Sequence, residues 1–496
     1  MRLSALLAAA GTRVEDGRDA EVRSIAYDSR RVEPGALFVA VPGFHRDGHE
    51  FVTDAVSRGA VAAVSERPLR APVPVAVVPD SRLALSALAA EFFDHPTRRL
   101  PIVAVTGTDG KTTTVHLVSD VLEAAGERTG FQTTVDFKLC DNRWPNESRQ
   151  TTQEALEVQQ FFAELLVAGG TWGLLEATSH ALALRKLAHV DVDVAVFTNL
   201  TPEHLDFHGT MQDYLAAKGI LFEMLDRSVD KGIAKAAVVN ADDPHWRYLA
   251  DRTSATVLTY GIDALADVQA QIAAESAEGT RFTLAYQKAR TDVALPLIGR
   301  FNVSNALAAA AAGLATGANL DAVRLALEHA KPVAGRLERV ESGQPFNVVV
   351  DYAHTPESLR KVLTLLRPLT AGRLIAVFGS AGERDRSKRP AMGKIAAELA
   401  DYFVITQEDP RLEDRAAILD EIERGAIEAG AARGERYAVI DDRKQAIAHA
   451  VARAKTGDTV VACGKGHERS IIEGERKTPW DEAGAAREAL RSLGYQ

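Results

Sequence analysis

At 496 residues, 46% of them apolar, the chain exceeds what one hydrophobic core holds, and two to four domains are expected. Its 58 Lys and Arg against 68 Asp and Glu leave a formal charge of −10 without any basic block, which argues against nucleic acid or a membrane surface as partner. Two cysteines far apart, Cys140 and Cys463, imply no disulfide framework and fit a reducing cytoplasm, and no apolar run reaches the ~18 residues of a membrane span.

Met1 to Ala10 reads as an amphipathic first helix; its apolar run is short and Gly11-Thr-Arg-Val-Glu-Asp follows without a cleavage pattern. Residues 1–97 then form a small α/β block. Ala36-Leu-Phe-Val-Ala-Val41 and Ala60 to Val64 are its strands, Phe51 to Arg58 and Ser81 to Phe93 its helices. Asp28-Ser29-Arg30 and the turn Gly43-Phe44-His45-Arg46-Asp-Gly48 fall at strand ends, where open α/β sheets bind ligands, although each also reads as surface decoration. His95 to Pro101 is a linker.

Residues 98–333 form a second block around Val103-Ala-Val-Thr-Gly-Thr-Asp-Gly-Lys-Thr-Thr-Thr-Val115. Ile102 to Val105 is a buried strand, Thr106 to Gly110 a turn, and Lys111 to Ala125 a helix ended by Gly126. Gly107, Thr108, Asp109, Gly110, Lys111, Thr112 and Thr113 make a shortened nucleotide loop. Its backbone N–H groups converge on phosphate at a helix N-terminus, Lys111 reaches terminal phosphates, and the Thr112 hydroxyl suits magnesium. Val105 stands where the strict pattern has its first glycine.

The strand Trp172 to Glu176 ends on an acid placed for a magnesium ligand. Val192 to Leu200 is another strand; after it His204 and His208, four apart, suit a metal pair on a helix face, but Pro202 and Gly209 argue for a loop. Lys218, on the following helix, reads either as a solvated lysine or, neutral or carbamylated, as support for a second metal. A fourth strand ends at Asn240-Ala-Asp-Asp243. Asn302 and Asn305 open an alanine-rich helix, as caps or as base readers.

Residues 334–496 alternate helices with strands at 346–350, 374–378, 402–405, 437–440 and 459–462, a doubly wound sheet. Gly379, Glu383 to Asp385, Glu408 to Arg411 and Gly464 to Glu468 fall at strand C-terminal ends, where its ligands belong.

Taken in order, Gly107-Thr-Asp-Gly-Lys-Thr, Glu176-Ala-Thr-Ser-His180, Thr198-Asn-Leu-Thr-Pro-Glu-His204, Lys218, Asn240-Ala-Asp-Asp, Phe301-Asn-Val-Ser-Asn305, Gly335-Arg336 and Asp351-Tyr-Ala-His354 resemble the Mur ligase family, from residue 23 to beyond 468. Asp28 to Gly35, Thr151-Thr152, Gly382-Glu-Arg-Asp385, Glu408-Asp-Pro-Arg411 and Gly464-Lys-Gly-His-Glu468 are similar to its MurE branch, which adds the third amino acid of the peptidoglycan stem peptide. The resemblance implies an α/β fold of three domains. They are a UDP-binding N-terminal domain, a central P-loop ATPase-like parallel sheet with flanking helices, and a C-terminal Rossmann-like doubly wound domain. It also implies ATP and Mg2+, an acyl-phosphate intermediate, small-molecule substrates, a cytoplasmic location and a monomer.

By the same resemblance Lys111, Glu176, His204 and Lys218 are catalytic, and Thr112, Glu176, His204 and Lys218, as a carbamate, hold metal. Asn305, Arg336 and Asp351 join the loop in binding ATP. Ser29, Phe44, His45, Arg46, Thr151, Thr152, Thr178 and Lys186 meet the UDP-muramoyl-dipeptide. Arg384, Glu408, Asp409, Arg411, Gly464 and Glu468 meet the amino acid.

Three positions depart from the family pattern: Asp109 replaces an asparagine, Lys186 an arginine, and Thr178 a serine. Enzymes of the branch that add meso-diaminopimelate carry Asp-Asn-Pro-Arg where this chain has Glu408-Asp-Pro-Arg411. The added carboxylate of Asp409 favours L-lysine or L-ornithine by about 1 kcal/mol or more in a partly buried pocket. Other readings are another amide ligase of the superfamily, or a P-loop ATPase without ligase activity.

Overall fold

The computed structural model describes residues 1–496 except Glu15, Asp16, Phe44, His45 and Arg149. Contacts group the chain into two compact units. The first comprises residues 1–271, 283–293 and 301–327, the second 272–282, 294–300 and 328–496.

In the first unit β1 (Ser24–Ala26), β2 (Ala36–Val39), β3 (Ala62–Ser65) and β4 (Val75–Val77) pair in parallel in that order. Leu3, Leu6 and Leu7 of the first helix, Leu3–Ala9, are buried against this sheet with Leu85 and Leu88 of helix Ser81–Phe92. The expected linker at 95–101 is tighter than a linker. A 3-10 turn, Pro96–Arg98, buries Pro96 and Thr97, and the Thr97 hydroxyl accepts from Asp191 N at 3.1 Å.

A second sheet is built on β5 (Ile102–Thr106), followed in the chain by β6 (Thr129–Gln132), β7 (Asp136–Leu139), β8 (Asn142–Pro145), β9 (Trp172–Glu176), β10 (Val194–Phe197), β11 (Ala236–Asn240) and β12 (Thr256–Gly261). From β12 onward its order is β12-β11-β10-β5-β9-β6-β7-β8, parallel except where β7 and β8 turn back. In register, Val103 lies between Val194 and Leu174. Strands covered on both faces read as unbroken apolar runs, which is how β5, β9 and β10 come to be buried at every residue. The turns after β5, β6, β9, β10 and β11 therefore emerge along one edge, at the strand C-terminal ends. Three strands follow in the chain, β13 (Val268–Ser276), β14 (Gly279–Tyr286) and β15 (Ala289–Leu295), with Val268 opposite Tyr260.

In the second unit β16 (Glu338–Arg339), β17 (Asn347–Asp351), β18 (Leu374–Phe378), β19 (Tyr402–Ile405), β20 (Tyr437–Val439) and β21 (Thr459–Cys463) form a sheet of order β16-β17-β21-β18-β19-β20, parallel apart from β16. A hairpin of β22 (Ser470–Glu473) and β23 (Arg476–Pro479) follows. Both cysteines are buried, Cys140 in the first unit and Cys463 in the second. Among the described residues no helix is long and apolar enough to cross a membrane.

Candidate functional site

β5 runs straight into the glycine loop and helix Lys111–Ala124, the strand, turn and helix expected. Gly107 has φ +151° and Gly110 φ +84°, and a Cβ on either would collide, at 1.8 Å from Thr198 Oγ1 and at 2.3 Å from Asn305 Oδ1. Glycine is needed twice over at these positions, for backbone conformation and for space. Asp109 is exposed. Its main chain is what the fold holds: its N–H donates to Asn199 Oδ1 at 2.9 Å, and its carbonyl accepts from Thr198 Oγ1 at 2.6 Å. The departure at Asp109 thus leaves the loop shape to Thr198 and Asn199. Thr108 donates to the Thr201 carbonyl at 3.2 Å, and the Lys111 ammonium bends back to the carbonyls of Gly107 and Thr108 at 3.1 and 2.8 Å.

Glu176, buried at the end of β9, gathers hydroxyls. Its Oε1 accepts from Thr112 Oγ1 at 2.8 Å and from Thr134 N at 2.7 Å, and the Thr134 hydroxyl reaches both carboxylate oxygens. Thr151 lies 3.1 Å from Thr134, and Thr152 bonds the Glu176 carbonyl at 2.7 Å and the Thr178 hydroxyl at 3.1 Å. Thr178 also caps the helix Ser179–Ala183, so its hydroxyl is the feature that the exchange from serine preserves. Thr134 was absent from the expected site. It stands in Gln132-Thr-Thr-Val135, where nothing in spacing distinguishes it from an ordinary edge threonine.

Lys218 corrects the solvated reading. It is 1% exposed on the inner face of helix Met211–Arg227, donates to the Gly107 carbonyl at 2.8 Å, and lies 4.2 Å from the centre of the Tyr214 ring. Burial, and secondarily the Lys111 ammonium on the same carbonyl, push its pKa well below the usual lysine value.

His204 takes the left-handed conformation, φ +57°, and starts a single helical turn, Leu205–His208, where a loop was expected. Desolvation, then Lys111 and Lys218, push its pKa down to about 4, which leaves the imidazole neutral and able to ligate. Both histidines pack edge-on against His180, His204 at 4.6 Å and His208 at 5.4 Å, and His208 also pairs with the Ser179 hydroxyl at 2.9 Å. Among the described residues no group of three or more His, Cys, Asp or Glu side chains forms a ready metal cage.

Asn302 and Asn305 lie inside helix Arg300–Ala315, so neither caps it. Asn305 is buried, its amide donating to Asn302 Oδ1 at 3.2 Å and its oxygen facing Thr114 at 3.4 Å and Gly110. Of the N-terminal residues, Ser29 is buried in a 3-10 turn and Arg46 is exposed; Phe44 and His45 lie outside the described residues. Lys186 is held by Glu154 at 2.7 Å and Gln150 at 3.2 Å.

In the second unit Asp351, at the end of β17, accepts from Leu337 N and Ala353 N, both at 2.8 Å, and burial raises its pKa. Arg336 lies over the Tyr352 ring at 4.8 Å. Glu408 is buried, with an Oε2 that finds no hydrogen-bond partner among the described residues, and Gly464 packs on it: a Cβ there would sit 2.9 Å from that oxygen. Arg411 has φ +54° and a buried Nε without a hydrogen-bond partner among the described residues, and Arg384 is exposed. Asp409 is not the open negative charge that the sequence suggested. Its Oδ1 accepts from Lys465 Nζ at 2.8 Å and from Ile472 N at 2.9 Å.

Comparisons with known proteins parallel this geometry. Family models described as "Mur ligase family, catalytic domain", "Mur ligase middle domain" and "Mur ligase, glutamate ligase domain" match residues 21–93, 105–313 and 335–466. A UDP-N-acetylmuramyl-tripeptide synthetase of Roseiflexus sp. (strain RS-1) is 52% identical over 486 residues, 96% of each chain. A UDP-N-acetylmuramoyl-L-alanyl-D-glutamate–2,6-diaminopimelate ligase of Bacillus velezensis is 43% identical over 478 residues, again 96% of each. A solved structure of a ligase of the latter name is 31% identical and superposes with TM-score 0.67 over 96% of both chains. MurF ligase from Thermotoga maritima in complex with ADP, 20% identical, shares the fold with TM-score 0.63 over 95% of this chain and 97% of that one.

Proposed function

We propose, from the premise that this chain belongs to the Mur ligase family, that it is a MurE-type ligase joining a diamino acid to UDP-N-acetylmuramoyl-L-alanyl-D-glutamate at the expense of ATP. Residues 1–97 take the UDP-muramoyl end, with Ser29 and Arg46 among its contacts; 98–333 take ATP; 334–496 take the amino acid. The observation that carries this reading is Lys218, a lysine buried with its amine on the Gly107 carbonyl of the phosphate loop. A bare ATPase has no use for a lysine held in that form; a ligase that carbamylates it does.

The substrate carboxylate attacks the γ-phosphorus of ATP, ADP leaves, and an acyl phosphate forms. The amine then attacks the acyl carbon, loses a proton, and the tetrahedral intermediate expels phosphate. Two anions meet in the first step, so positive charge and N–H dipoles must already be in place. Lys111 and the loop amides supply them, Lys111 exchanging two backbone carbonyls for phosphate oxygens. Asn305 supports the loop from behind Gly110, and Arg336 and Asp351 are assigned to ATP by the family pattern.

Magnesium fits Thr112 Oγ1 and Glu176: both are hard oxygen donors, 2.8 Å apart and few, as suits an ion that keeps water and phosphate oxygens. Bound there it would spread the charge of the β- and γ-phosphates. His204, neutral, and Lys218, once carbamylated, would hold a second ion. Thr151, Thr152, Thr178 and Lys186 would meet the dipeptide.

The class of amino acid rests on Arg384, Arg411, Glu408, Gly464 and Glu468, arginine for carboxylates and acids for ammonium groups. The preference for L-lysine or L-ornithine rested on an open Asp409, and its ion pair with Lys465 removes that reason. Competition among meso-diaminopimelate, L-lysine and L-ornithine, read as kcat/KM, assigns the amino acid.

ADP release that requires both the dipeptide and a diamino acid tests the reaction; release with ATP alone would overturn it. Lys218→Ala is expected to abolish ligation, retain most ATP binding, and regain partial activity with a small added carboxylate. Full activity of that variant would remove the carbamate.

A further inference from the structure

A ring of hydrogen bonds runs behind Thr112 and Glu176. His116 lies one turn beyond Thr112 on helix Lys111–Ala124, and its side chain reaches from that helix to the turn that joins β6 to β7. Its Nδ1 donates to the Thr112 carbonyl at 2.8 Å, since a carbonyl only accepts, and its Nε2 stands 2.9 Å from Asp136 Oδ1. Asp136 opens β7 and closes the turn. Its N–H donates to Thr133 Oγ1 at 3.1 Å, and Thr133 donates from its N–H and its hydroxyl to the Asp136 carbonyl at 3.0 and 2.8 Å. The other Asp136 oxygen pairs with Arg143 of β8. The same turn carries Thr134, whose N–H donates to Glu176 Oε1 at 2.7 Å; Thr112 Oγ1 donates to that oxygen at 2.8 Å and shuts the ring. Thr112, His116, Thr133, Asp136 and Glu176 are all buried.

The turn and Glu176 are set against each other by the sheet, in which Gln132 pairs with Leu175. The start of the helix stands outside that ladder, and His116 ties it to the turn. Magnesium demands near-ideal geometry at short distances, so the separation of Thr112 Oγ1 from Glu176 has to be held closely. We propose that His116, anchored on Asp136, is a positioning residue for the magnesium site: it keeps the Thr112 turn of the helix where the Thr112 hydroxyl and the Glu176 carboxylate can share one ion. This rests on the reading above in which Thr112 and Glu176 take magnesium. His116 acts through Thr112 and Asp136, on which its two ring nitrogens are spent, and contacts neither ion nor nucleotide.

Calorimetric titration of ADP into the protein, with and without Mg2+, separates the loop from the metal, because the ratio of the two affinities is the gain due to the ion. His116→Phe fills the place edge-on to Phe131 with a ring that has no donor. Its gain from Mg2+ is expected to fall about tenfold or more, while ADP binding without Mg2+ stays unchanged. Asp136→Ala is expected to lose the same factor, and the double variant no more than either alone, because one linkage is broken in all three. His116→Gln keeps a donor within reach of Asp136 and is expected to retain most of the gain.

Melting curves of each variant set a temperature at which the proteins compared are folded; should His116→Phe not fold, Asp136→Ala and His116→Gln carry the comparison. An unchanged gain in His116→Phe and Asp136→Ala would overturn the proposal. So would an equal loss of ADP affinity with and without the ion, which marks a general disturbance of the loop, or a His116→Gln variant as impaired as Asp136→Ala. Wild-type protein separates the two levels of failure. If Mg2+ brings it no gain in ADP affinity, the reading of Thr112 and Glu176 as metal ligands falls; if it does and the variants keep that gain, only the role of His116 is removed.

Discussion

Lys218 shows how the proposed catalytic role of a residue opposes stability. In the unfolded chain its amine is charged below its ordinary value of 10.5, and in the folded chain burial keeps it neutral well below that. The unfolded state therefore binds more protons, and stability rises with pH through the window between the lowered folded value and 10.5. Lys218→Met fills the same space without an amine to desolvate. It is expected to gain about 0.5–2 kcal/mol at neutral pH, the usual return when a functional site is relieved, while losing ligation. Urea titrations of the two proteins check this, and the gap should narrow as pH rises toward 10.5. His204 works with the same sign at lower pH, contributing a rise in stability between about 4 and 6.5.

None of this was legible in Tyr214-Leu-Ala-Ala-Lys218, where a lysine one turn from a tyrosine reads equally as solvated; only the docking of the helix on β10 and β11 fixes which face it occupies. Asp409 carries the same lesson. Its charge was legible, its partner in a loop more than fifty residues on was not.

Among the elements, those read correctly are the ones whose identity is local. β5, β9, β18 and β19 are unbroken apolar runs, and each was located to within a residue. β6 was missed because Thr129-Gly-Phe-Gln132 has neither a run nor an alternation; it is a strand because β9 lies beside it. The helix Ala155–Val167 also went unremarked, although Val158, Phe161, Phe162 and Leu165 carry the i, i+3, i+4, i+7 spacing of a buried face.

One element contact is illegible in the sequence. Arg443, opening helix Arg443–Arg453, donates to the carbonyls of Gln407 at 3.0 Å and Cys463 at 2.7 Å, the residues immediately before Glu408 and Gly464. Its guanidinium pairs at 2.5 Å with Glu482 of the last helix, Glu482–Ser492, both side chains wholly buried, and Trp480 donates to the same carboxylate. An arginine at a helix start reads as a surface residue from sequence. Glu482→Ala leaves a buried cation unpaired and is expected to cost about 3–5 kcal/mol. Glu488→Ala removes the exposed pair with Lys444 and should cost about 0–1 kcal/mol. Denaturant midpoints of the two variants test the contrast.

On the scale of the whole molecule, the chain is acidic, formally −10, yet two of the proposed substrates, ATP and the UDP-muramoyl-dipeptide, are anions, so their attraction must come from local groups rather than from the overall field. Two compact units, each with its own sheet and buried core, also make a single unfolding free energy an inappropriate quantity. Calorimetry is expected to resolve two transitions. A diamino acid at saturating concentration should raise only the one belonging to the second unit, which holds Arg384, Glu408, Arg411 and Glu468, by the mass-action stabilisation of a ligand that binds only folded protein. An equal shift of both would show that the units unfold together.

The placement of the two cysteines gives that experiment its own readout. Each unit encloses one thiol and no other, and burial holds the Cys463 thiol well above its ordinary pKa, so the native chain should resist alkylation at both positions. Modification of Cys140 then marks the opening of the first unit and modification of Cys463 that of the second. Peptide mapping after a pulse of iodoacetamide can therefore time the two events separately in a single unmodified, unlabelled protein.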